Sequence, residues 1–460
     1  MRHAEVAQLP EVRYHELGHE TLLQLLPSLP MRNRRHALVP LFASILGAFA
    51  MAARGDDWPQ FRGPTRDGVW AETGVLQTFP ADGLKVRWRA PVGSGLSSPI
   101  VSDGRIFVSD SETKKPKAWE RVQCFDEHSG RLLWMHSDEV KYPEWAFDSN
   151  APAGPDATPI TSDGKIYVLG KNAHLMCLDV HDGAVLWESD VMKDYGLTEF
   201  SGTTPSPLIE GHLLILVIGA QPGASVLALD KDTGKEIWRA LDDPWTYSSP
   251  VVITAGGVRQ LIVLTPIAIT SLNPATGKTW WREKLEVRGD FTAACPVFHE
   301  PLLFAGGTMF QVNPDQPSVS VLWPVARTSY TRRILSQTSI PLIADGCVFS
   351  DKSYGHLIGL EALTGKKLWQ RDGITNTSNG AAQQLYPNED SVLIFTDQGD
   401  LIRGQLSAEG YQEISRVHVI AGTYPFAGRK VVWPLPAFAD RHIFVRNDEE
   451  LICASLEAGP

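Results

Sequence analysis

Short apolar runs broken by Gly, Asp and Pro extend through most of the chain. The clearest, Val226-Leu227-Ala228-Leu229, reads as a β-strand. Asp230 to Gly234 follows as a turn whose glycine supplies a positive φ. The next run, Glu236-Ile237-Trp238, carries a tryptophan with enough area to pack against a neighbouring unit.

The segment recurs. Cys124-Phe125-Asp126 leads through Ser129-Gly130 to Trp134, and Cys177-Leu178-Asp179 through Asp182-Gly183 to Trp187. Ser271-Leu272-Asn273 leads through Thr276-Gly277 to Trp281, and Gly359-Leu360-Glu361 through Thr364-Gly365 to Trp369. The shared pattern is small-x-Asp/Asn/Glu-x-x-polar-Gly-x-x-x-Trp. A second hairpin lies upstream of each copy. Ser98-Pro99-Ile100-Val101 turns at Asp103-Gly104, Thr158-Pro159-Ile160 at Asp163-Gly164, and Thr204-Pro205 to Ile209 at Glu210-Gly211. Ser249-Pro250-Val251-Val252 and Ile340-Pro341-Leu342-Ile343 repeat the theme. Two hairpins make a four-stranded antiparallel unit of about 40–50 residues, the size of a propeller blade.

Two copies are degenerate. One runs from Cys295 to Trp323; the other runs from Gln383 to Val419 and puts Ile414 at the tryptophan place. A last half-copy, Trp433 to Leu456, supplies three strands, and Lys85-Val86-Arg87-Trp88-Arg89 is available as the fourth. The expected fold is therefore all-β: an eight-bladed β-propeller of four-stranded antiparallel blades over residues 84–456. Pairing the N-terminal strand into the last blade closes the ring and removes an exposed sheet edge. Trp134, Trp187, Trp238, Trp281, Trp369 and Trp88 are the expected docking tryptophans.

The N-terminal residues 1–55 read as a non-structural segment containing a signal peptide. Arg32, Arg34 and Arg35 precede an apolar stretch from Leu38 to Ala53, and Ala50-Met51-Ala52 offers a small-residue cleavage site. The stretch is short for a membrane span, which needs about 20 residues. Met31 is the expected start of translation; the alternative is a genuine extension with an uncleaved anchor. No cysteine lies between Met31 and Trp58 to carry a lipid. The expected location is the periplasm or outside the cell, with no stable membrane span after cleavage.

Residues 56–83 read as an N-terminal strap. A net charge of -11 argues against nucleic acid as a partner. The five cysteines, Cys124, Cys177, Cys295, Cys347 and Cys453, are scattered and match no disulfide framework, redox motif, covalent haem motif or zinc spacing.

These repeats resemble the pyrroloquinoline quinone (PQQ) repeat family, in which the Trp-ended segment is a docking motif that locks adjacent blades. Trp58-Pro59-Gln60-Phe61-Arg62-Gly63-Pro64 is similar to the mature start of many secreted propellers of this type, and reads as an aromatic strap on the propeller rim. The family divides into quinoprotein dehydrogenases and non-catalytic propellers, the latter including the propeller lipoprotein of the outer-membrane assembly machine. For the enzymes the resemblance implies PQQ stacked on a central Trp beneath a disulfide of adjacent cysteines, a calcium ion and an Asp base. This sequence has no adjacent cysteine pair and no haem segment. PQQ and calcium are accordingly disfavoured, and no catalytic or metal-binding residue is assigned.

Function is expected in the loops joining one blade to the next, which line a funnel. The candidate ligand-binding residues are Trp145, Asp148, Asn150, Glu199, Trp245, Tyr247, Arg288, Asp290 and Arg332. Aromatics beside carboxylates and arginines suit a protein or polysaccharide partner. The leading reading is a non-catalytic, monomeric scaffold. The alternatives are a PQQ-dependent dehydrogenase of alcohols or sugars and, behind it, a carboxylate-dependent hydrolase or lyase.

Overall fold

A computed structural model describes residues 57–148, 153–197, 204–285, 293–324, 338–352, 355–375 and 382–459. These residues form eight four-stranded antiparallel sheets and one two-stranded hairpin, with almost no helix. Blades 1 to 7 occupy residues 100–140, 160–190, 208–240, 251–284, 297–324, 342–371 and 383–418 in chain order. Blade 8 takes three strands from 437–455 and its outermost strand, Val86–Pro91, from the other end of the propeller. There Trp88 pairs with Cys453 and Ala90 with Leu451, so the ring closes as the strand count implied.

Burial follows position in the blade. In blade 3 the second strand, Leu213–Ala220, and the third, Ala224–Asp230, are buried almost throughout. Both faces of these strands meet a neighbouring blade, which is why their sequence is continuously apolar rather than alternating. The fourth strand, Glu236–Ala240, buries Trp238 alone. The core is thus a set of layers between blades. Leu214, Leu216, Leu227 and Leu229 of blade 3 pack on Tyr167, Leu175 and Cys177 of blade 2. The opposite face, Leu213, Ile215 and Val226, packs on Leu261 and Val263 of blade 4.

A β-bulge in the fourth strand aims each docking tryptophan. In blade 3 the register slips between Ala228 and Leu229, bringing Trp238 opposite the small residue Ala228. The rings of Trp134, Trp187, Trp238 and Trp323 cover the turn glycine of the next blade, which that of Trp369 does not, and the N–H of all five reaches that turn. Trp134 Nε1 donates to Val180 O at 3.0 Å, Trp187 Nε1 to Lys231 O at 3.0 Å, Trp238 Nε1 to Pro274 O at 3.0 Å and Trp369 Nε1 to Ser407 O at 2.8 Å. Trp323 repeats this onto Ala362 O at 2.8 Å. Trp281 differs: it packs among Leu303 and Phe310 of blade 5, but its N–H goes to Gln260 Oε1 of its own sheet at 2.8 Å. The blade 5 turn, Asn313 to Gln316, has no glycine to offer.

Blade 7 corrects one expectation. Its bulge lies between Arg403 and Gly404, so Ser415, not Ile414, stands at the tryptophan register, opposite Arg403. The strap fills the place: Phe79 N donates to Ser415 Oγ at 3.0 Å. Arg403, buried where most other blades have a small residue, donates to Ser391 Oγ at 2.5 Å and Asn388 Oδ1 at 3.0 Å.

The strap also departs from a rim position. Trp58 pairs with Val101 of blade 1, and Thr161 N of blade 2 donates to Pro59 O at 3.0 Å. Arg66 reaches Pro207 O of blade 3 at 2.7 Å, and Trp70 N reaches Pro387 O of blade 7 at 2.9 Å. Trp58, Trp70, Tyr386 and Phe438 pack ring to ring beneath it. The strap therefore crosses the inner strands of several blades rather than the rim.

Candidate functional site

The segments entering the innermost strands surround a central cavity of about 630 Å³. A Ser or Thr before a proline is held extended, because the proline ring excludes the helical region for the preceding residue. Ser98, Thr158, Ser206 and Ser249 occupy such places in blades 1 to 4. Their hydroxyls link the blades in a belt. Leu435 N donates to Ser98 Oγ at 2.9 Å, Ser98 N to Thr158 Oγ1 at 3.1 Å, Thr158 N to Ser206 Oγ at 3.0 Å, and Ser206 N to Ser249 Oγ at 2.9 Å. In blade 3 the belt residue is Ser206, two positions beyond Thr204 of the sequence pattern. Across the ring Ile340 N donates to Gln384 Oε1 at 3.1 Å.

Facing the belt is an aromatic wall: Phe61 from the strap, Tyr247, Phe395, Tyr424, Phe426 and Trp433. Three of these belong to an insertion between blades 7 and 8 or its exit. The hairpin pairs Tyr424–Phe426 with Arg429–Val431. Phe426 meets Trp433 edge-on at 5.1 Å, and the Arg429 guanidinium lies 5.4 Å from the Phe426 ring centre.

Two carboxylates also line the cavity, each neutralised by a cation. Asp397, buried, accepts from Arg429 at 2.8 Å and from Thr375 Oγ1 at 2.5 Å. Asp156 pairs with Lys171 and accepts from Thr204 Oγ1 at 3.0 Å. Behind Lys171 sits Glu120, whose carboxylate accepts from Tyr142 OH at 2.8 Å and Lys171 N at 3.1 Å. Burial pushes the Glu120 carboxyl up to about 7, against the pull of these hydrogen bonds.

Of the residues proposed from sequence, Tyr247 lines the cavity. Trp245 supports it, edge-on at 5.1 Å. Trp145 is 51% exposed on a 3-10 turn, Glu144–Phe147, and Asp148 is exposed just after it; neither belongs to the lining. Asn150, Glu199, Arg288, Asp290 and Arg332 lie outside the described residues. Sequence reasoning missed Phe61, Asp156, Asp397 and the 424–431 hairpin. The Ser/Thr-Pro recurrence was the one available signal, and it points to the belt alone.

A family model described as outer membrane protein assembly factor BamB matches residues 118–291 and again 267–412, across seven of the eight blades. The chain belongs to this PQQ-repeat family. Among curated relatives, a BamB of Shewanella oneidensis is 24% identical over 52% of this chain and 55% of its own length. Quinohemoprotein alcohol dehydrogenase ADH IIB of Pseudomonas putida is 31% identical over 34% of this chain and 21% of its own. The chain thus spans about half the length of the first relative and a fifth of the second. Among solved structures, BamB from Moraxella catarrhalis aligns with TM-score 0.54 at 14% identity, covering 82% of this chain and 99% of that one. The quinohemoprotein alcohol dehydrogenase of Comamonas testosteroni aligns with TM-score 0.60 at 14% identity, covering 89% and 82%. The PQQ-repeat fold therefore serves both an assembly factor and enzymes, and function has to be argued from the site.

The described lining does not supply what the quinone calls for. PQQ carries three carboxylates and calls for cations. Among the described residues the cavity lining offers Asp156 and Asp397 and neither Lys nor Arg. The five cysteines are free, buried and placed in separate blades. No cluster of His, Cys, Asp or Glu suited to a metal occurs among the described residues.

Proposed function

We propose that this PQQ-repeat protein is a non-catalytic scaffold of the periplasm or cell exterior that holds a protein partner at the mouth of its central cavity. One observation carries the reading: the aromatic hairpin Tyr424–Phe426 and Trp433 stand beside carboxylates that are already neutralised. Such a wall offers apolar area and hydrogen bonds without a free general acid or base, which suits recognition rather than turnover. Relatives named as assembly factors support the reading; the dehydrogenase relatives support the runner-up, a PQQ enzyme, whose cofactor the lining does not favour. No described helix is long and apolar enough to cross a membrane.

The test is a photo-crosslinking amino acid at Phe426 in cells of the source organism. One discrete protein adduct at Phe426, lost when Trp433→Asp is added and absent from the same probe at outer-edge Ile237, supports the scaffold. Absence of any adduct, or equal adducts at Ile237, contradicts it.

A further inference from the structure

The strap carries two arginines into the interior. Arg62 and Arg66 are each only 6% exposed. Arg62 donates to Asp67 O at 2.6 Å and, weakly, to Arg66 O at 3.4 Å. Arg66 donates to Pro207 O at 2.7 Å, Ser206 O at 3.3 Å and Gln60 Oε1 at 3.2 Å, and its Nε has no acceptor. Neither guanidinium has a carboxylate partner among the described residues. The nearest acid, Asp67, is exposed and accepts instead from Thr65 Oγ1 and Val69 N. Two buried cations so close together, with only the exposed Asp67 within electrostatic reach of Arg62 and no ion pair to either, are costly.

Other unpaired polar groups lie in the cavity lining or within electrostatic reach of the arginines. The Phe61 ring, part of the cavity lining, lies 5.7 Å from the Arg66 guanidinium. Gln383, also in the lining and 1% exposed, has partners for neither its amide nitrogen nor its oxygen. Tyr386, 1% exposed, has an unpaired hydroxyl within electrostatic reach of Arg62. The buried Cys295 thiol lies within such reach of both guanidiniums. Arg446, the other arginine buried among backbone carbonyls, differs: it donates to three of them, leaves no nitrogen unpaired and has Asp110 and Asp448 nearby.

We propose that the strap builds a binding site for a small anion, held by Arg62 and Arg66 with the Tyr386 hydroxyl as a further donor. Halide, inorganic phosphate and a carboxylate such as acetate share the required chemistry. The Arg66 guanidinium lies against Phe61 and neither arginine belongs to the cavity lining, which favours a small anion over a large tricarboxylate. The site stands independently of the partner reading. It would also tie the strap to the blades it crosses.

The test is thermal unfolding of the full chain in a zwitterionic buffer, with sodium chloride, phosphate or acetate added in turn at matched ionic strength. The expected result is a saturable rise of about 2–4 °C with at least one of the three, absent in Arg66→Gln. The identity of the stabilising salt names the anion. Equal midpoints in every salt, or a full response in Arg66→Gln, overturn the site. Crystals of the wild type grown in bromide give a second readout that needs no variant. An anomalous peak beside both guanidiniums supports the site, and ordered water alone overturns it.

Discussion

The Trp88 indole N–H donates to the main-chain carbonyl of Glu127 at 2.8 Å, and through this contact blade 8 locks onto blade 1. The ring also covers Gly130, where an added Cβ would fall 2.5 Å from it. Every other docking tryptophan joins blades that follow one another in the chain. Trp88 alone joins blades whose order is interrupted by the chain ends, so it acts as the seam of the ring.

Trp88→Phe keeps most of the buried area but leaves the Glu127 carbonyl without this donor. The expected loss is about 1 kcal/mol of unfolding free energy, against about 3–5 kcal/mol for Trp88→Ala. Urea denaturation measures both. Equal losses would mean that the buried ring area contributes nothing beyond the hydrogen bond, and an unchanged Trp88→Phe would mean that the hydrogen bond contributes nothing beyond the ring.

Gly183 and Gly164 separate docking from backbone strain. Both have φ near +73°. A Cβ at Gly183 would lie 2.5 Å from the Trp134 ring, whereas nothing lies within 4 Å at Gly164. Both alanine variants incur the cost of the left-handed backbone, about 1–2 kcal/mol. Gly183→Ala should cost about 1–3 kcal/mol more, because Trp134 must leave its seat. Matching stabilities of the two variants would argue against docking as a source of stability.

Glu120 gives the protein a pH signature. Its carboxyl titrates near 7 in the folded chain against 4.5 in the unfolded one, so the folded state binds the proton more tightly. This contribution is complete below pH 4.5 and is lost as pH rises through about 7. At full ionisation the loss is about 3 kcal/mol. Denaturation midpoints across pH 4–8 should fall for the wild type and fall less for Glu120→Gln. An identical slope in the variant would remove Glu120 as the cause.

The blades were legible because each is a repeated local pattern, and the seam was legible because the last copy lacked one strand. Less of the site was. A bulge inserts one residue into every fourth strand, and a one-residue slip turns a side chain to the other face. That is why Ile414 looked like the docking position and Ser415 holds it. The cavity is assembled from positions some forty residues apart, so Asp156 and Asp397 have no shared signature. Nothing in the chain order announces that the strap crosses the inner strands and carries Arg62 and Arg66 into the interior. The hairpin at Tyr424 falls between copies of the repeat and matches neither.

If the central cavity serves recognition rather than quinone chemistry, PQQ should not bind the folded chain. The most direct test is the unfolding temperature of the purified chain with micromolar PQQ and millimolar calcium, added singly and together. The account predicts no change in midpoint under any of these conditions. A saturable rise of several degrees that requires PQQ would contradict it, because only a ligand bound to the folded state stabilises in that way.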